Sequence, residues 1–223
     1  MSLQYSDVVT DAVKPNARRD RARATRERIL AAAAETFVEC GYAASTVEVI
    51  AAAAGVAVQT VYFVFHTKAD LLMEVISVLA WQGDRTSVEA RSWIQRAAEA
   101  TGGAERLAIV VDAGVELYRR AGALFPVLAE ASTSDPEVRK AWQRIVDERR
   151  TGMTRMAEHM AARGELRSDL SVDEAVAIIG GLHRHEVFLA FTRESGWTVE
   201  AFKAWLLAAL SRELLLEPVS AIH

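Results

Sequence analysis

Residues 46–65, TVEVIAAAAGVAVQTVYFVF, place an alanine run, a single glycine and a second apolar run within one short stretch. Two short helices that cross steeply need a small residue where they touch, and Ala51 supplies it. The turn between them needs a residue that tolerates positive φ, and Gly55 supplies that. Ile50, Ala54, Val56, Val61 and Val64 are spaced to fill the angle between the two helices. The stretch therefore reads as a helix-turn-helix, although a plain helical hairpin with an Ala-Gly break makes the same local demands. Val58, Gln59, Thr60, Tyr62 and Phe63 are left as the outward positions of the second helix. A glutamine can bond an adenine edge at two points and an aromatic ring can touch a thymine methyl. Thr60, Tyr62 and Lys68 are of the types that hold phosphates.

Helical periodicity runs through almost all of the chain, and no segment alternates strictly enough to predict a strand. A first helix is expected over about Ala24–Cys40, with Ile29, Ala33 and Phe37 inward, Gly41 as its stop and Cys40 as a small buried residue at its end. Ser45 with Glu48, and Thr67 with Asp70, predict capping boxes for the second and fourth helices. Asp135 and Pro136 open the longest helix, ending at Gly164. Ser171 and Glu174 cap one that continues to about Ser195, and a last helix covers about Val199–Leu216. The expected architecture is all-α with about nine helices: a tail over 1–20, a reading head over 21–68 and a larger helical domain over 69–223.

The chain's net charge of −4 conceals an asymmetry. Between residues 14 and 28, Lys14, Arg18, Arg19, Arg21, Arg23, Arg26 and Arg28 face only Asp20 and Glu27, a local +5 that leaves −9 elsewhere. A basic arm on an acidic body suggests a polyanion met at one end. Residues 29–70 add only Lys68 against four carboxylates, so phosphate affinity must lean on the arm, with Arg23 and Arg26 as its candidate contacts. A single cysteine allows no internal disulfide. The apolar runs are too short to span a membrane, the first residues do not form a leader, and a cytoplasmic protein is expected. His183 and His185, two apart on a helix, point to different sides and cannot chelate one ion together. No catalytic motif, metal site or cofactor is expected; an all-α enzyme survives only as a reading that would require demonstrated turnover.

TRERILAAAAETFVECGY, STVEVIAAAAGV and QTVYFVFHTKADLL together resemble the DNA-binding domain of the TetR family of transcriptional repressors over residues 24–75. More weakly, GELRSDLSVDEAVAIIGGLHRHEVFLAFTRESGW and TVEAFKAWLLAAL resemble its last two helices. The resemblance implies a dimer that binds palindromic operator DNA and is released by a small-molecule effector. It implies phosphate contacts at Thr46, Thr60, Tyr62 and Lys68, and base contacts at Gln59 and Phe63. It also implies a dimer interface on the last two helices, at Val176, Gly180, Val187, Phe202, Leu206 and Leu210. Four positions depart from the family pattern: Ala57 lacks the usual Ser or Thr cap, Val58 and Phe63 make the reading face apolar, and His66 replaces Pro or Gly. Those departures keep open a second reading, a helical ligand-binding or adaptor protein whose reading head has degenerated.

An effector site should be apolar with a few inward polar groups. Polar residues on apolar stripes are the candidates: Arg149 between Ile145 and Met153, Tyr118 with Val111 and Gly114, and His183 with Val176 and Val187. Arg149 needs a carboxylate, supplied either by the protein, with Glu130 or Glu116 in view, or by a ligand. Trp93, Phe125, Trp142, Met153 and Met156 are the candidate walls, for an effector that is apolar or aromatic with a polar group.

Overall fold

In a computed structural model, which describes residues 17–81 and 88–216, the chain forms eleven α-helices and one π-helical turn. They are α1 (Ala17–Ala44), α2 (Val47–Ala54), α3 (Val58–Phe65), α4 (Lys68–Trp81), α5 (Val88–Glu99), α6 (Gly103–Ala121), α7 (Leu124–Ser134), α8 (Pro136–Ala162), α9 (Val172–Leu182), α10 (His185–Leu189) and α11 (Val199–Leu214), with the π turn at Ala190–Glu194 after α10.

α1 is longer than the sequence predicts. It begins at Ala17, inside the stretch expected to be tail. Arginine and alanine are good helix formers, Asp20 sits in the positive first turn, and Arg23 and Glu27 pair at i, i+4. Helical geometry stops at Gly41, where φ is 74°. Cys40, expected to be buried, is exposed on the outer face one residue before that turn. The capping box predicted at Ser45 is displaced by one residue: Thr46 is the N-cap of α2, its hydroxyl accepting from the Val49 amide. Ser45 is fully buried, and its hydroxyl serves the carbonyls of Thr36 (3.0 Å) and Gly41 (2.6 Å).

Two apolar cores follow one another along the molecule. The first gathers Ile29, Ala33 and Phe37 of α1, Ile50, Ala51 and Ala54 of α2, Val61 and Phe65 of α3, and Leu71, Leu72 and Val75 of α4. It does not end at residue 68, because Leu124, Val127, Leu128 and Ala131 of α7 and Val138 of α8 complete it. A boundary between Lys68 and Ala69 is therefore not a boundary of packing. The second core joins α6, α8, α9 and α11 through Leu107, Val111, Ala157, Met160, Ile179, Phe202, Leu206 and Leu210.

Two further elements differ from expectation. α7 was not foreseen as a separate helix, although Leu124, Val127, Leu128 and Ala131 fall at i, i+3, i+4 and i+7. The helix opened by the Ser171–Glu174 capping box stops at Leu182, because His183 leaves helical geometry at φ −88°, ψ 67°, and α10 starts afresh at His185.

Among the described residues the most deeply buried cation is Arg106 of α6, 2% exposed. Its guanidinium caps the end of α5 by donating to the carbonyls of Ala97 and of Ala100 (3.2 Å), and it pairs with Glu165 at 3.4 Å. Removing one partner of such a pair strands the other without water. Arg106→Leu is expected to cost roughly 3–5 kcal/mol in denaturant titration, against about 0–1 kcal/mol for Arg167→Leu in an exposed pair. At the junction with α4, His66 holds positive φ (58°) without being glycine. That conformation stores on the order of 1–3 kcal/mol, so His66→Gly should raise the unfolding free energy by about 1 kcal/mol.

Candidate nucleic-acid interface and ligand site

α3 turns 105° away from α2, within the crossing range of a helix-turn-helix. Gly55 makes the turn in the left-handed region at φ 64° and ψ 42°, and its amide closes α2 by donating to Ala52 (3.1 Å). Val61 and Phe65 point into the core, which turns the opposite face of α3 outward. Gln59 is exposed there, Tyr62 is 46% exposed and Phe63 84%. Thr60 is half-buried, and Val58, expected to face outward, packs against the core. Ala57 provides no side-chain cap for α3, an omission worth about 1 kcal/mol.

The cations expected on phosphate divide into two groups. Arg23 is exposed, with only the loose Glu27 contact at 3.8 Å. Arg26 instead faces α4: it pairs with Glu74 and lies over the Phe65 ring, 5.4 Å from its centroid. Lys68 is also partly engaged, donating to the Tyr42 carbonyl at 2.9 Å and sitting 4.0 Å from that ring's centroid, and burial lowers its pKa. Arg28, not singled out in the sequence, approaches the turn: its Nη1 would lie 3.9 Å from a Cβ placed on Gly55. Its place at i+5 from Arg23 gave no signal, since proximity to Gly55 is set by packing. Thr46 is exposed at the start of α2.

In the body, the structure brings most of the ligand candidates together. Tyr118 stands 5.5 Å from His183, 6.1 Å from Phe125 and 5.9 Å from Phe188, centroid to centroid. Phe125 continues to Trp142 (6.3 Å) and stacks on His185 (4.8 Å). Met153 and Met156 pack on the same core half-buried. Trp93 lies half-buried on α5, and the ring contacts of the described residues do not include it. His185 and Phe188 belong to the cluster but escaped notice, because the break at His183 re-aims the residues that follow it.

His183 is the centre of this arrangement. Its carbonyl accepts from the Tyr118 hydroxyl (2.9 Å) and from the Arg149 guanidinium. Its ring is buried against Gly114, where a Cβ would fall 1.9 Å from Nε2, and Nε2 has no hydrogen-bond partner. An unmet buried polar atom costs about 1–3 kcal/mol. The carboxylates expected to pair with Arg149 are elsewhere. Glu116 is held by Arg119 (2.6 and 2.8 Å), whose hydrogen bonds with those of Arg120 draw its pKa down to about 2. Glu130 lies at the end of α1, against Gly41.

The interface expectation needs correction. Phe202, Leu206 and Leu210 are fully buried in the chain's own core, so the main apolar stripe of α11 is not available to a partner. Gly180 faces inward as well: a Cβ there would meet Met153 at 3.5 Å. Val176 and Val187 are half-buried against the same core. The outward apolar surface is an adjacent stripe. Ala177, Ile178, Gly181 and Leu182 of α9, with Trp205 and Ala209 of α11, line an open groove of about 410 Å³.

Comparison with known proteins agrees with this architecture. Residues 29–75 match the bacterial regulatory proteins of the tetR family, and residues 101–201 match the tetracyclin repressor-like C-terminal domain. The chain belongs to the TetR family of bacterial regulatory proteins. No curated protein matches its sequence. Among solved structures, it is similar to NalD, the secondary repressor of the MexAB-OprM multidrug efflux pump in Pseudomonas aeruginosa, at 21% identity and TM-score 0.65, covering 89% of this chain and 99% of that one. It is similar to the transcriptional regulator FadR of Bacillus subtilis, solved with stearoyl-CoA, at 24% identity and TM-score 0.65, covering 88% and 99%. FadR of Bacillus halodurans, a fatty acid degradation regulator, aligns at 21% identity and TM-score 0.66, covering 83% and 94%.

Burial depresses the His183 pKa to about 4, with the Arg149 charge acting in the same direction. The ring is therefore neutral in the folded chain, while the unfolded chain takes up its proton near the ordinary value of 6.5. Stability should fall as pH drops from about 6.5 to 4, by up to about 3 kcal/mol from this residue. Urea titrations of wild type and His183→Gln across that window check this: the variant should show a clearly shallower dependence on pH.

Proposed function

We propose that this chain is a ligand-responsive transcriptional repressor that binds a palindromic operator as a homodimer and leaves it when a small molecule occupies the α6–α8–α10 cluster. The observation that carries the DNA reading is the exposed Gln59–Tyr62–Phe63 face of α3, set at 105° to α2 beside the arginines of α1. Gln59 suits an adenine edge and Phe63 a thymine methyl, while Thr46, Thr60, Tyr62, Arg23 and Arg28 hold phosphates. Arg26 and Lys68, engaged inside the chain, contribute less. The groove between α9 and α11 is the face offered to a second copy, which would set two α3 helices in successive major grooves about 34–36 Å apart.

The effector reading rests on the aromatic cluster and on the small molecule carried by a similar protein, stearoyl-CoA in FadR. A ligand can act only by binding one spacing of the heads better than the other. No single helix among the described residues is long and apolar enough to cross a membrane.

Selection of genomic fragments by the purified chain at ~50 mM and ~200 mM salt tests the DNA reading, because phosphate-only binding falls steeply over that range. A palindrome retained at the higher salt supports it. Fragments without a common motif, lost as salt rises, favour a ligand-binding protein with a degenerate head. Gln59→Ala should relax preference at one position of each half-site at a cost of about 1–3 kcal/mol. Arg28→Ala should weaken all sites alike and lower the salt slope by about one unit. An Arg28→Ala slope equal to wild type would remove that residue from the phosphate contacts.

A further inference from the structure

The effector cluster contains a cation whose only protein acceptor among the described residues is a main-chain oxygen. Arg149 donates to the His183 carbonyl, and no described carboxylate lies within ion-pair distance of it. A guanidinium is built to grip a planar anion with two parallel N–H groups, and a single carbonyl leaves that capacity unused. Tyr118 donates to the same oxygen at 2.9 Å, so two good donors converge on one point. Around that point stand Phe125, Trp142, His185 and Phe188. The His183 ring, 92% buried, has an Nε2 with no partner and fills the hollow that Gly114 leaves on α6.

Resting on the effector reading above, we infer that the ligand is a carboxylate-bearing amphiphile with an aromatic or aliphatic body, whose carboxylate replaces the His183 carbonyl on Arg149 and Tyr118. The apolar body would lie among the rings of Phe125, Trp142 and Phe188. The exchange leaves no donor unpaired: each keeps an oxygen acceptor, and the guanidinium gains a counter-charge. It also has a mechanical consequence. The stretch from Ser171 to about Ser195 reads as one helix in the sequence but is broken at His183, whose carbonyl is held by Arg149 and Tyr118. In a continuous helix that carbonyl would accept from the Val187 amide. A ligand that takes over the two donors frees the carbonyl to do so, and α9, whose outer face lines the groove with α11, shifts with it.

Calorimetric titration of the full chain with hydrocinnamate and with its neutral amide tests the charge requirement. Wild type should bind the acid at least ~10-fold more tightly than the amide, because only the acid can make the charged bidentate pair. Arg149→Gln should abolish that difference, Tyr118→Phe should reduce it, and Arg149→Lys, which keeps the charge without the fork, should fall between. Trp142→Ala should weaken both probes. Should the Gln variant not fold, the Lys and Phe variants carry the comparison. Equal affinity for acid and amide, weakened in Trp142→Ala, overturns the anion inference while leaving the cluster as a ligand site. Acid binding that survives both Arg149→Lys and Trp142→Ala unchanged puts the ligand elsewhere and overturns the inference and the site together. Failure of wild type to bind either probe also overturns the inference; operator release by a neutral apolar compound would then keep the effector reading alive on its own.

Discussion

Tyr42 lies just past the Gly41 turn, with its ring against Phe37 and its hydroxyl donating to Asp135 at 2.7 Å, while Lys68 donates back to its carbonyl. Three helices meet there: the end of α1, the start of α4 and the N-cap of α8. Asp135 does two tasks at once, since its other oxygen receives the Glu137 and Val138 amides that open α8. Burial pushes its carboxyl up, but the bonds from Tyr42, Val138 and Glu137 and the Lys68 charge outweigh that and keep it ionised below the ordinary range. The reading head is therefore not a bead on a linker. Its core runs on into α7.

That fastening limits the electrostatics available for DNA. The arm holds most of the positive charge, yet Arg26 is spent on Glu74 and Phe65, and Lys68 on Tyr42. Arg23 stays exposed on α1 and Arg28 lies at the Gly55 turn, while the residues outside 14–28 sum to −9. On the proposed reading, non-specific attraction is modest and base edges supply the discrimination. Phe63 suits that proposal: an apolar ring 84% exposed on the face of Gln59 would gain most against a thymine methyl. A missing cap at Ala57 and a strained His66 flank the same helix, so α3 is held in place by Val61 and Phe65 in the core rather than by its ends.

The local elements were legible because their causes are local. Gly55 with Ala51 encodes the steep turn, Asp135–Pro136 and Ser171 with Glu174 encode helix starts, and the structure has each of them. What could not be read depends on partners distant in sequence. The break at His183 needs Tyr118, 65 residues away, and Arg149, 34 residues away. Periodicity alone predicted an unbroken helix there. The same blindness left Arg149 in need of a carboxylate from the protein or from a ligand, while Arg106, the cation sealed inside, passed without comment because its partners, the Ala97 and Ala100 carbonyls and the Glu165 carboxylate, are brought to it by packing. On α11 the pattern showed an apolar stripe but not its owner. Phe202, Leu206 and Leu210 serve the chain's own core, and the surface left for a partner is the weaker neighbouring stripe with Trp205. α7 is the exception, for its spacing was plain in the sequence.

A regulator of this kind needs one element with two arrangements of similar energy, biased by both of its ligands. The α9–α10 junction meets that description better than the packed cores do. Its sequence favours helix continuity, which would satisfy the His183 carbonyl internally; its surroundings favour the break, by offering that carbonyl two donors and its ring a glycine hollow, at the cost of one unmet nitrogen. Opposing preferences of a few hydrogen bonds are of the size that ligand binding can reverse. α9 has neighbours on two sides. Outward it lines the groove with α11; inward it packs on α8, whose N-cap is the Asp135 that holds Tyr42 and hence α1. Contacts thus run without a gap from the proposed ligand cluster through α8, Asp135 and Tyr42 to α1, which packs on α2.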